Sequence, residues 1–182
     1  MGFQVVISKA PGSTDNPHRT LGRGMAFLAS LLVLGMFYLY FENSLQVRDN
    51  PNRELQVAPG GDLVLKRSRD GHYLFPGTIN GRPVTFLLDT GATLVSVPAH
   101  LADELGLKAG AYQQSITANG TVASRATRVA SLAFGPFDLR NVPASLNPGM
   151  ENDQVLLGMS ALKHLEFAQR GDTLVLRPPG ER

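Results

Sequence analysis

The chain of 182 residues contains no cysteine and no tryptophan, and its charges nearly cancel. Without cysteine it cannot form disulfides, use a thiolate nucleophile or bind zinc through thiolates. The 17 Lys and Arg residues exceed the 15 Asp and Glu residues by only two, so no basic excess indicates a nucleic-acid partner. The four histidines are scattered without the spacing of metal ligands: His18, His72, His100 and His164. We therefore expect no metal, no cofactor and no nucleic acid.

One long apolar run lies near the N-terminus. Residues 24–41, GMAFLASLLVLGMFYLYF, include no charged residue. A helix of this length spans about 27 Å, close to the roughly 30 Å hydrocarbon core of a bilayer. Two alternatives are a buried core helix, which is usually apolar on one face, and a cleaved signal peptide, whose apolar region is usually shorter. The run favours an uncleaved, single transmembrane helix over residues 24–41.

The residues that flank this run predict its orientation. Lys9, Arg19 and Arg23 precede it against Asp15 alone. Because basic residues collect on the cytoplasmic side of a membrane, residues 1–23 are expected to be a cytoplasmic tail. Everything after the run is then expected outside the cytosol, which is the periplasm if the source is bacterial.

The remainder of the chain divides into a linker and one domain. Residues 42–61 are polar, with two prolines and a Gly-Gly pair, which is typical of a linker. Residues 62–178 are long enough for one compact core. A helix is predicted over residues 98–105, where Pro98 suits a first turn. Short apolar runs between turn residues predict a mainly β domain, with strands at 62–66, 72–75, 78–79, 84–88, 113–118, 121–129, 130–134, 137–139, 154–157 and 173–176.

The most informative segment follows the strand predicted over residues 84–88. Three apolar residues lead directly into Asp89, Thr90 and Gly91, and the small Ala92 comes next. An aspartate that caps a β-turn is the simplest alternative. The apolar residues on both sides, including residues 94–97, are more typical of a carboxylate that a buried strand delivers to a site.

This segment resembles the active-site loop of aspartic proteases. A single copy in a short chain resembles the retroviral, retropepsin-like branch, and especially its small membrane-anchored members in bacteria. The similarity extends over nearly all of residues 62–178. It includes the Asn80-Gly81 turn, the residues of the predicted helix, and the closing segment 171–176. It also includes Leu156-Leu157-Gly158, which matches the second family signature at the spacing that the family requires.

The resemblance implies a fold and a set of residue roles. The implied fold is a small closed β-barrel or sandwich of the retropepsin type with one short helix. Asp89 would be the catalytic carboxylate, Thr90 would hold the two loops of a dimer together, and Gly91 would allow close backbone approach. Ala92 completes this active-site loop. The remaining roles are a supporting loop at Leu156, Leu157 and Gly158, and a flap at Thr117, Ala118, Asn119 and Gly120.

The resemblance also implies how the chain acts. Aspartic-protease chemistry uses two carboxylates that share one proton, and this chain supplies a single Asp-Thr-Gly. The second Asp89 must then come from another copy of the chain across a two-fold axis. We therefore expect a membrane-anchored aspartic endopeptidase that works as a homodimer on peptide or protein substrates. The alternative is an inactive retropepsin-like module that dimerises or binds a partner at the membrane.

Overall fold

The structure, a computed structural model, describes Met25 and residues 27–40, 50–117 and 120–180, with the backbone alone at residues 115–117. The chain divides into two compact units, Met1–Ser44 and Leu45–Arg182.

In the first unit, Met25 and residues 27–40 form a helix, α1, whose side chains are all exposed. Gly24, Ala26 and Phe41, which belong to the predicted transmembrane segment, lie outside the described residues. Within the part of the chain that the structure describes, no helix has both the length and the apolar character to cross a membrane. The membrane anchor and the cytoplasmic tail at residues 1–23 therefore stay predictions.

The second unit is mainly β, as predicted, and contains one short α-helix, α2, at Met159–Leu162. Its described residues form eleven strands in two sheets: β1 Gln56–Val57, β2 Leu63–Lys66, β3 Leu74–Ile79, β4 Arg82–Leu88, β5 Val95–Pro98, β6 Tyr112–Thr117, β7 Gly120–Phe134, β8 Phe137–Asn147, β9 Gln154–Leu157, β10 Glu166–Arg170 and β11 Thr173–Arg177.

The smaller sheet has the order β1-β2-β11-β10, and all its pairs are antiparallel. The larger sheet has the order β3-β4-β9-β5-β8-β7-β6. In this sheet β4 runs parallel to β9, and β5 runs parallel to β8. β3 also pairs with β7 through Thr78 and Ile79. The described strands of the second unit form these two sheets. The closed barrel stays a prediction.

A single apolar core joins the two sheets. Phe75, Phe86 and Phe134 form an aromatic cluster with ring centroids 5.4 to 5.9 Å apart. The smaller sheet contributes Leu63, Leu65, Leu174 and Leu176, which are all buried in the same cluster. These apolar contacts pack the two sheets against each other. The candidate site lies at the ends of β4 and β9 in the larger sheet.

The helix predicted over residues 98–105 is wrong. Only Ala99–Leu101 form a helical turn, of the 3-10 type, and turns continue to Gly106. Pro98 ends the buried strand β5 and offers no side-chain cap, and so short a helix has little stability of its own. Leu105 nevertheless packs into the core, as its apolar spacing suggested.

Several strands differ from their predicted bounds. The segments 121–129 and 130–134 form one strand, β7, and the segment 137–139 extends to Asn147 as β8. Strand β5 was not predicted, and all four of its residues are buried between β9 and β8 of the larger sheet.

Part of the predicted linker packs on the domain. Asn52 is buried, and its amide donates to the carbonyl oxygens of Lys66 at 2.9 Å and Leu74 at 2.8 Å. Its Oδ1 accepts from the backbone N–H of Lys66 at 2.6 Å. Gln56 and Val57 then pair with β2. The folded part of the chain therefore begins before residue 62.

Candidate active site

Asp89 lies directly after β4, which is between β3 and β9 in the larger sheet. Leu87 and Leu88 of β4 pair in parallel with Leu156 and Leu157 of β9. The backbone N–H of Asp89 donates to the carbonyl oxygen of Leu157 at 3.2 Å, which extends this pairing by one residue. The parallel pairing of β4 with β9 thus fixes the point at which Asp89 leaves the sheet.

The loop that follows folds back onto the Asp89 carboxylate. The backbone N–H of Gly91 donates to Asp89 Oδ1 at 2.9 Å, and the N–H of Ala92 donates to the Asp89 carbonyl oxygen at 3.3 Å. A Cβ at residue 91 would lie 3.2 Å from Oδ1, so glycine keeps this approach free. Asp89 and Ala92 are half-buried, whereas Thr90 and Gly91 are exposed.

Gly158 lies directly behind this loop. It is buried, and a Cβ added there would lie 2.6 Å from the carbonyl oxygen of Ala92 and closer still to that of Leu94. The next two residues donate to the loop: the N–H of Met159 binds the Ala92 carbonyl oxygen at 2.8 Å, and the N–H of Ser160 binds that of Thr93 at 2.9 Å. The start of α2 therefore holds the Asp89 loop from behind.

Ser160 fixes the end of the loop, and the sequence did not single it out. Its buried hydroxyl accepts from the backbone N–H of Val95 at 2.9 Å and donates to the carbonyl oxygen of Pro143 at 2.8 Å. The hydroxyl thus joins the loop to β8. The available signal was a serine inside an otherwise apolar stretch just after Gly158, since a buried hydroxyl normally requires partners.

Comparison with known proteins shows which family the chain resembles. The model of the family described as "gag-polyprotein putative aspartyl protease" matches residues 75–164, which include Asp89 and Gly158. The crystal structure of a retropepsin-like aspartic protease from Rickettsia conorii is similar at a TM-score of 0.54 and 29% identity, covering 63% of this chain and 98% of that one. The chain is similar to retropepsin-like aspartic proteases in both comparisons. The predicted resemblance is confirmed.

Two curated relatives are similar to this retropepsin-like chain. An uncharacterized protein from the cobV 5' region of Sinorhizobium sp is 32% identical over 120 residues, covering 64% of this chain. The uncharacterized protein RP867 of Rickettsia prowazekii (strain Madrid E) is 28% identical over 120 residues. The chain spans about half the length of these relatives, 52% and 51% respectively.

The retropepsin-like fold brings the two sequence signatures together. Leu156, Leu157 and Gly158 lie beside the strand and loop of Asp89. The flap prediction falls on the hairpin between β6 and β7, where Thr117 pairs with Gly120 at a φ of +107°. Ala118 and Asn119 lie outside the described residues, so the flap stays a prediction.

The retropepsin-like site of one chain offers a single carboxylate. Asp89 is half-buried in a loop rich in backbone hydrogen bonds, where it can accept a proton from a water molecule. Among residues 50–117 and 120–180, no group of three or more His, Asp or Glu side chains could hold a metal ion. Peptide hydrolysis of this type also needs an acid beside the base. Asp89 of one chain would supply one carboxylate of such a pair.

Proposed function

We propose that the chain is an aspartic endopeptidase, active as a homodimer, in which Asp89 of each copy supplies one catalytic carboxylate. The observation that carries this proposal is the fixed Asp89 loop. Backbone groups of Leu157, Met159 and Ser160 hold it at both ends. Catalytic groups need such support, because a small misplacement lowers the rate strongly.

The proposed reaction divides the work between the two carboxylates. One Asp89 is ionised and takes a proton from water, whose oxygen then attacks the carbonyl carbon of the peptide bond. The partner subunit's Asp89 is protonated and donates a hydrogen bond to the developing oxyanion. The tetrahedral intermediate breaks at its C–N bond, and the amine leaves with a proton from the pair. The products are a peptide acid and a peptide amine.

The exposed strand β10 supports a dimer. In the second unit, the large apolar side chains that the structure shows as exposed lie on strands at the sheet ends: Val57 on β1, Tyr112 on β6 and Phe167 on β10. All five residues of β10 are exposed, and β10 pairs only with β11 among the described strands. An edge strand without proline or a bulge readily accepts a further strand. We infer that β10 of a second copy is that strand.

The sequence of β10 is complementary to itself. When two copies pair antiparallel about Ala168, Glu166 of each lies opposite Arg170 of the other, and Phe167 lies opposite Gln169. Opposite charges therefore meet at both ends of the pair. β10 also follows α2 closely along the chain, and α2 holds the Asp89 loop. The proposed two-fold axis at Ala168 therefore lies on the strand that follows the helix supporting the catalytic loop.

We also propose that residues 24–41 anchor the chain in a membrane by a single helix, with residues 1–23 in the cytoplasm and the protease domain outside the cytosol. The support is the uncharged sequence, together with the helix and exposed side chains at residues 27–40. A reporter enzyme fused after Arg182 is expected to be active outside the cytosol. Activity confined to the cytosol would contradict the orientation.

The full chain in detergent micelles, incubated with a peptide library from pH 3 to pH 8, tests the protease function. We expect cleavage at selected sites by the wild type. Asp89→Asn has nearly the same shape but cannot act as a base, so cleavage should fall by a factor of at least about 10². Cleavage by the variant at the wild-type rate would overturn the role of Asp89. Absence of cleavage by both proteins would favour the inactive binding module.

A further inference from the structure

A groove of about 390 Å³ lies beside the first part of β4, away from the Asp89 loop. Its walls come from the β3–β4 hairpin, from the turn that follows β5 and from the residue before β9. Thr85 is the lining residue nearest to Asp89 along β4, and it precedes Asp89 by four positions. Because a strand rises about 3.3 Å per residue, the two residues are about 13 Å apart. The groove is therefore separate from the candidate active site.

The backbone of β4 has an open edge at this groove. β9 pairs with β4 only from Thr85 onward, so Pro83 and Val84 pair with β3 on one side and with no described strand on the other. Pro83 has no backbone N–H, and neither has Pro76 on β3. A further strand therefore cannot join here through a regular ladder of backbone hydrogen bonds. We expect an occupant of the groove to bind through its side chains.

The floor of the groove is apolar. Val84 and Leu101 are half-buried and pack against the core, and Leu105 is buried in it. Pro76 and Pro83 add further apolar surface that is half-buried and exposed, respectively. Covering such surface with an apolar side chain is favourable. Ligand pockets usually measure about 300–1,000 Å³, so a groove of about 390 Å³ accommodates a few side chains of a partner.

Two carboxylates from different parts of the chain line the same groove. Glu104 is exposed and forms no ion pair with any residue that the structure describes. Asp153 Oδ1 is 2.9 Å from Nε2 of His100, but the Asp153 side chain is 84% exposed, and a carboxylate accepts several hydrogen bonds. The described residues that line the groove include no Lys or Arg. The groove is therefore complementary to a positive charge.

We propose that this groove docks an extended segment of a partner protein in which an Arg or Lys side chain lies next to apolar residues. The apolar side chains cover Val84 and Leu101, and the cation pairs with Glu104 and Asp153. Arginine suits both parts, because its guanidinium group has five donors and its aliphatic stem can cover apolar surface. An acidic segment is excluded, because it would bring like charges together.

An array of octapeptides of random sequence, probed with the full chain in detergent micelles, tests the groove. The chain carries Asp89→Asn, so that no peptide is cleaved during the measurement. We expect the bound peptides to be enriched in Arg or Lys beside apolar residues. Fluorescence anisotropy then compares a bound peptide with the same peptide in which Gln replaces each Arg and Lys. The Gln peptide should bind about tenfold more weakly, because it loses the ion pairs with the two carboxylates.

Glu104→Gln combined with Asp153→Asn should weaken binding of the basic peptide by about tenfold and leave binding of the Gln peptide unchanged. Both residues are exposed, so these substitutions should preserve the fold. Asp103→Asn is the matched control, since it removes the neighbouring exposed carboxylate, which does not line the groove. This control should bind both peptides as the parent chain does.

Absence of a preference for basic peptides would overturn the proposed docking groove. So would a preference that survives the combined change at Glu104 and Asp153, or one that Asp103→Asn lowers equally, since the latter would reflect net charge alone. All these measurements record binding without cleavage. A wild-type chain that cleaves no peptide would therefore contradict the proposed protease function and leave the docking groove supported.

Discussion

The backbone N–H of Val95 donates a hydrogen bond of 2.9 Å to the hydroxyl of Ser160, 65 positions later in the chain. The same hydroxyl donates to the carbonyl oxygen of Pro143. One buried side chain therefore joins the end of the Asp89 loop, the start of α2 and strand β8. Its removal should affect the loop more than its size suggests.

Ser160→Ala is expected to lower the free energy of unfolding by about 1–3 kcal/mol, because it leaves the buried Val95 N–H and the Pro143 carbonyl without their partner. Urea unfolding of the full chain in detergent measures this change. The control Ser131→Ala removes a hydroxyl on the surface and should change stability by less than about 0.5 kcal/mol. Equal effects of the two substitutions would show that the Ser160 hydroxyl contributes little.

Gly158→Ala is expected to disturb the active-site loop directly. The added methyl group would meet the carbonyl oxygens of Ala92 and Leu94, which belong to backbone and cannot rotate away. We expect a loss of at least about 2 kcal/mol in stability, together with loss of peptide cleavage. Thermal unfolding and cleavage assays measure the two effects. Gly180→Ala is the control, since its Cβ would lie at an ordinary contact distance of 3.6 Å from the exposed Glu166 side chain. Full activity of Gly158→Ala would contradict this account of the loop.

Ala168→Cys tests the pairing of two β10 strands. The chain has no native cysteine, so any interchain disulfide must form at the new residue. Opposed residues of antiparallel strands have Cα atoms about 4.5–5.5 Å apart, within the range that a disulfide spans. Mild oxidation should give a covalent dimer on a non-reducing gel, and the cross-linked dimer should keep its cleavage activity on dilution.

Ala130→Cys, at an exposed position on β7, is the matched control and should remain monomeric on the same gel. Equal cross-linking of the two variants would indicate random collisions. A cross-linked Ala168→Cys dimer that cleaves nothing, while the wild type does, would show that β10 does not form the catalytic dimer.

Features that depend on neighbouring residues were predicted well from the sequence. The Asn80-Gly81 turn forms with both residues at positive φ, 50° and 79°, as its dipeptide chemistry requires. The strand before Asp89 was likewise visible as an apolar run. The family signature then related Asp89 to Leu156–Gly158, which the structure places side by side.

Features that depend on distant partners were not predicted. The role of Ser160 is defined by Val95 and Pro143, and the role of Asn52 by Lys66 and Leu74. No local pattern encodes such contacts, so the sequence predicts a linker at residues 50–61, which include the buried Asn52 and strand β1. Strand β10 was missed because all of its residues are exposed and their composition indicates no buried face.

Activity in mixtures of wild-type chain and the Asp89→Asn variant tests most directly whether two Asp89 carboxylates act together. The two proteins are mixed at constant total concentration, allowed to exchange partners, and assayed for peptide cleavage. If only dimers with two intact carboxylates are active, activity follows the square of the wild-type fraction and falls to about one quarter in an equal mixture. A linear fall to about one half would show that each chain cleaves alone, and would contradict the shared active site.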